Sequence, residues 1–178
     1  MSAAARAASL VCFALAMCAG LAMAQPSDTL KTLLAFKLCS LAGELRAVYD
    51  HPANADDRSF VLRVKDAPQN YVRCEFADNG RALSCVASSL YYAEDDKTRS
   101  HKLPMPAEKK AALAKLGFDT GTEPKDFSYR RAIAGEPDFD SIVTLMLAAL
   151  HDACDVREDT HLVSVAPIGV NLVTVCRY

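Results

Sequence analysis

Leu30, Leu34, Leu38, Leu41, Leu45 and Val48 recur at spacings of three and four, which lays one apolar stripe along a helix over about residues 28–49. A turn-prone stretch over 51–58, with Pro52 and the adjacent Asp56 and Asp57, ends it. Phe60-Val61-Leu62-Arg63-Val64 then alternates as a strand. Two more apolar runs, 71–76 and 83–88, flank Asp78-Asn79-Gly80, and Asn-Gly supplies the positive backbone angles of a two-residue hairpin turn. With that pair at the tip, Phe76 stands opposite Leu83 and Cys74 opposite Cys85. The three strands form an antiparallel meander, and Tyr91 and Tyr92 extend its third strand toward a charged loop.

Pro106 near a first helical position, Glu108 in a first turn and Gly117 at the end mark a short helix over 105–116. Residues 127–133 read as a fourth strand. Asp138 then caps the most apolar helix of the chain, in which Phe139, Ile142, Val143, Met146, Leu150 and Ala153 share a face that Leu145 and Leu147 widen. Residues 162–165 and 170–176, around Pro167-Ile168-Gly169, read as a closing hairpin. The order predicts an α+β domain: a small antiparallel sheet packed with an N-terminal and a C-terminal amphipathic helix, plus a short middle helix.

Residues 1–24 stand apart. Arg6, an apolar run over 7–21 and Ala22-Met23-Ala24 have the layout of a secretory signal peptide, with cleavage expected before Gln25. The apolar run is short and rich in alanine for a membrane span, and Met17 before Cys18 does not suit a lipid attachment site. Cleavage removes Arg6, so the formal net charge moves from −2 to about −3. Nucleic acid is not an expected partner of such a chain, and no later segment is apolar enough to cross a bilayer. Residues 25–178 have the length of one domain and show no repeats or low-complexity linkers.

Export would place Cys39, Cys74, Cys85, Cys154 and Cys176 in an oxidising compartment, where an even subset pairs. Five cysteines allow about fifteen two-bridge patterns. The hairpin register favours Cys74 with Cys85. Cys154 at a helix end and Cys176 near the chain end make the second expected pair, because Cys39 falls on the far side of its helix from the apolar stripe and is expected to stay a free thiol.

No chemistry-bearing constellation emerges. His51, His101, His151 and His161 are scattered, and only His151 has a metal-like neighbour, Cys154, one turn away; two ligands do not close a zinc site. Asp56-Asp57 and Asp95-Asp96 lack the alternating ligand pattern of a calcium loop. Ser59, Ser84, Ser88, Ser89 and Ser141 lie in no nucleophile elbow, and the seven glycines form no phosphate-cradling loop. No catalytic, cofactor or metal residue is therefore expected. The aromatic residues Tyr91, Tyr92, Phe127 and Tyr129 are either core or a protein-binding face of the sheet.

The stretch Met105-Pro-Ala-Glu-Lys-Lys-Ala-Ala-Leu-Ala-Lys-Leu-Gly-Phe118, then Phe127-Ser-Tyr-Arg-Arg131 and Pro137-Asp-Phe-Asp-Ser-Ile-Val-Thr-Leu-Met-Leu-Ala-Ala-Leu150, resembles the TY-Chap and YbjN-like group of bacterial domains. The resemblance covers most of residues 28–156 and implies the fold of type III secretion chaperones, with a binding role, chaperone-like or regulatory, often through a homodimer. Its pattern is one of packing and brings no site residue with it. The expected function is an exported, periplasmic or secreted module that binds a protein or peptide. The alternative is a small periplasmic hydrolase with an active site gathered from the loops at 51–58 and 91–102.

Overall fold

The computed structural model describes residues 26–50, 58–89, 105–121, 126–167 and 176. Their elements run α1 (Asp28–Asp50), β1 (Ser59–Val64), β2 (Ala67–Ala77), β3 (Ala82–Ala87), α2 (Ala107–Lys115), β4 (Phe127–Ala132), α3 (Phe139–Cys154) and β5 (Leu162–Val165). The class is α+β, as the apolar pattern predicts. All strand pairs are antiparallel, in the order β4-β3-β2-β1-β5.

The meander forms as expected, with Cys74 opposite Cys85 and Phe76 opposite Leu83. Its turn differs. The last pair is Ala77 with Ala82, so four residues make the connection, and three of them in succession, Asp78, Asn79 and Gly80, have positive φ. Asp and Asn tolerate that region better than other side chains. Glycine is required at 80, where an added Cβ would meet the Tyr49 ring at 3.0 Å.

Phe60 and Leu62 of β1, Val72 and Phe76 of β2 and Leu83 of β3 point to one face of the sheet and are buried. The helices cover that face. α3 packs on β2 and touches both α1 and α2, and its wide apolar face follows from this central place: Ile142, Val143, Met146, Leu147 and Leu150 are fully buried. Its N-cap is the expected one, with the Ser141 N–H donating to Asp138 Oδ1 at 3.0 Å. α1 runs antiparallel to α3. Its buried stripe includes Leu33, while Leu34 and Leu38 sit at the margin of the core. Among the described residues no helix is long and apolar enough to cross a membrane.

Two disulfides are present, and one corrects the expected pairing. Cys74–Cys85 joins β2 to β3 inside the core, with both residues fully buried. The second bridge is Cys39–Cys176, not Cys154–Cys176, and among the described residues Cys154 is the free thiol. Cys39 does lie on the outer, exposed side of α1, and it is there that it meets Cys176. Cys154, the last residue of α3, is partly buried against the core. The second half of the expected closing hairpin, 170–175, lies outside the described residues, and β5 pairs with β1.

Candidate functional site

The sequence expectation for a binding surface rests on four aromatics, and the structure divides them. Phe127 opens β4 on the inner face, opposite Ala87, and is 1% exposed. It is therefore core and is withdrawn from the binding surface. Tyr129 stands on the same inner face, half-buried, with its ring centroid 5.5 Å from that of Phe118. Gly117, at φ +93°, leaves room for it, because a Cβ there would meet Tyr129 Cε2 at 3.1 Å. Tyr91 and Tyr92 lie outside the described residues, as do 51–57 and 91–102, which hold the loops of the hydrolase alternative.

The outer face of the sheet carries no described helix. Strand register sets Ser128, Val86, Arg73, Val61 and Val165 in one row from β4 to β5. The next row holds Arg130, Ser84, Glu75 and Ser59, and Arg63 lies between Tyr71 and Val163 on the other side. The face thus interleaves valines with three arginines. Arg73 pairs with Glu75 at 3.3 Å and Arg130 with Asp78 at 2.9 Å. Both pairs are exposed, and such pairs are worth little, so the guanidinium groups remain free to take another carboxylate. The arginines occupy outward positions of β1, β2 and β4, a placement legible once β1 to β4 are aligned.

At one edge of this face the Tyr71 hydroxyl donates a short hydrogen bond to Asp126, whose Oδ1 also accepts the Ser89 N–H at 2.9 Å. Burial, the bond to Asp126 and the charge of Asp126 together push the Tyr71 phenol up to about 12. The carboxylate, just before β4, thereby ties Tyr71 within β2 to Ser89 just after β3. At the opposite end of the molecule, a depression of about 290 Å³ is lined by Arg46, Glu136, Asp138, Phe139 and Asp140. Arg46 stacks over the Phe139 ring at 4.6 Å and pairs with Glu136 at 2.7 Å. The aromatic cluster of Tyr49, Phe76 and Phe139 packs as tilted and edge-on rings beneath it.

One cluster escapes sequence reading. His151, in the last turn of α3, is 8% exposed. Its Nε2 lies 2.9 Å from Thr29 Oγ1 in the first turn of α1, and its Nδ1 lies 2.6 Å from Asp152 Oδ1. Thr29 is also 3.0 Å from Ser27 Oγ. The cluster is satisfied in both charge states of the ring: neutral imidazole accepts from the hydroxyl, and imidazolium donates to it. His151 and Asp152 are visible as neighbours in sequence. Thr29 is 122 residues away, and only the antiparallel packing of α1 on α3 brings it in. Among the described residues no group of three or more His, Cys, Asp or Glu is arranged to hold a metal ion.

Comparison with known protein families, with curated proteins and with solved structures finds no match for this chain.

Proposed function

We propose that this chain is an exported binding module, chaperone-like in role, that holds an extended acidic segment of a partner protein across the face of its sheet that carries no described helix. The carrying observation is the outer face itself, where Arg73 lies in one row with Val86, Val61 and Val165, and Arg63 and Arg130 flank that row on either side. Arginine is enriched in protein interfaces, and a mixed apolar and cationic strip suits a strand that alternates acidic and apolar side chains. The chain as a whole is slightly acidic, so a cationic face is a local feature and not a reflection of composition. Export is supported by the signal-like residues 1–24 together with two disulfides, which persist in an oxidising compartment. The chaperone-like role rests on the resemblance to the TY-Chap and YbjN-like group.

The test is anisotropy with a labelled short peptide alternating Glu and Val, beside its Lys-Val counterpart and vesicles of phosphatidylglycerol. The acidic peptide is expected to bind, more weakly as salt rises. Arg63→Glu/Arg130→Glu should lower that affinity by about tenfold or more, roughly 1.4 kcal/mol, with an unchanged circular dichroism spectrum. Equal binding of both peptides, or binding of vesicles alone, overturns the proposal.

A further inference from the structure

The helix layer holds an arrangement that a binding role leaves unused. Ser27 caps α1: its Oγ accepts the Leu30 N–H at 3.2 Å, and its carbonyl accepts the Lys31 N–H at 3.0 Å. Thr29 follows in the first turn on an exposed surface. Behind it stands the His151 ring, and behind the ring Asp152. An ionised carboxylate only accepts, so the neutral ring carries its proton on Nδ1 and turns the Nε2 lone pair to the Thr29 hydroxyl. Hydroxyl, imidazole and carboxylate in that order are the parts of acyl-transfer machinery on several unrelated folds. The Asp28 and Thr29 N–H groups precede the first intrahelical acceptors, and the helix end carries partial positive charge. Both favour an oxyanion forming beside Thr29 Oγ1.

An interhelical clasp alone needs only the bond between Thr29 and His151. The second bond, which fixes the tautomer that makes Nε2 a base, is what a clasp does not require. We propose that Thr29 is the nucleophile, His151 the general base and acid, and Asp152 the orienting carboxylate of an acyl-transfer site for small uncharged carboxylic esters. The exposed turn offers little wall to hold a long acyl chain, and Asp28 and Asp152 disfavour anions. Thr29 Oγ1 bonds to the ester carbonyl carbon while its proton passes to His151 Nε2. The carbon–oxygen bond to the leaving alcohol breaks as Nε2 returns that proton to it, which leaves acyl-Thr29. Water then attacks the same carbon, gives its proton to Nε2, and the bond to Thr29 breaks as Oγ1 takes the proton back. Ester and water become acid and alcohol, with no change of oxidation state.

The experiment follows 4-nitrophenyl acetate hydrolysis by the folded chain in a Cys154→Ala background, which removes thiol acylation. A fluorophosphonate probe and peptide mass spectrometry locate the reactive group. Turnover above that of the heat-unfolded chain is expected, with the adduct on Thr29. Thr29→Val should lower turnover by about a hundredfold or more and abolish the adduct, while Thr29→Ser restores both. Asp152→Asn should lower kcat and shift the pH profile, with KM little changed. If Thr29→Val fails to fold, adduct mapping on the parent and the Asp152→Asn profile decide. No turnover, an adduct elsewhere, or turnover indifferent to Asp152→Asn overturns the assignment and leaves a structural clasp. Ester turnover and peptide anisotropy are read separately on one preparation, so failure here is distinct from failure of the binding role.

Discussion

Cys154 shows how a single residue's surroundings set its chemistry. Burial pushes its thiol up from 9.0 to about 11, over the lowering influence of Lys109. A raised thiol pKa means that the folded state holds the proton more tightly than the unfolded chain. Its contribution is fully present below pH 9 and is lost as pH rises toward 11. Urea melts at pH 8 and pH 10.5 should differ by roughly 2 kcal/mol on this account, and Cys154→Ala should narrow that difference. Below pH 9 the native thiol should react slowly with iodoacetamide, and rapidly once unfolded. At the acid end Asp138 behaves oppositely. Its hydrogen bonds from Ser141 hold the carboxyl below its ordinary value, so the cap's contribution is present above that value and fades as pH falls below it. Asp138 was legible as a cap because its partner lies three residues away. The free thiol was not, because whether Cys39 or Cys154 meets Cys176 depends on packing between distant segments, which no local period records.

At the scale of elements, the helices and the meander were legible because burial imposes periods of 3.6 and 2 on the sequence itself. In the first turns of α1 the buried stripe differs by one position from the one the spacing predicts, with Leu33 and not Leu34 fully buried, since the adjacent Leu33 and Leu34 let either face turn inward. The placement of β5 against β1 and of Thr29 against His151 comes from packing between distant segments, which explains why the sheet edge and the relay were missed. The two disulfides differ in the same way. Cys39–Cys176 closes 137 residues and Cys74–Cys85 only 11, so chain entropy favours the first, at about 5 against about 3 kcal/mol. The short bridge is fully buried between strands, however, and removing it also leaves a gap in the core. Cys39→Ala/Cys176→Ala should therefore lower stability while leaving near-ultraviolet dichroism of the core intact. Cys74→Ala/Cys85→Ala should disturb both. Gly117→Ala tests the end of α2: at φ +93° with Tyr129 at 3.1 Å, the methyl should cost about 1–2 kcal/mol in a denaturant melt.

For the whole molecule, the two layers divide the chemistry. The helix layer holds the core, Cys154 and the Thr29–His151–Asp152 cluster, and the outer sheet face holds the arginines, so a ligand on one need not disturb the other. The Cys39–Cys176 bridge ties Cys176 to the exposed side of the first helix. Such closure contributes only where thiols are oxidised, which links fold stability to the proposed export. Expressed with residues 1–24 in a bacterial host, the protein should be recovered from the periplasm with an intact mass that begins at Gln25, four cysteines bridged and Cys154 alone alkylated. Expressed without those residues in a reducing cytosol, the same chain should lack both bridges and unfold at a lower denaturant concentration, with most of the difference restored by oxidation in vitro. A chain that kept residues 1–24, or that was equally stable with its thiols reduced, would remove the reason for placing this fold outside the cell membrane.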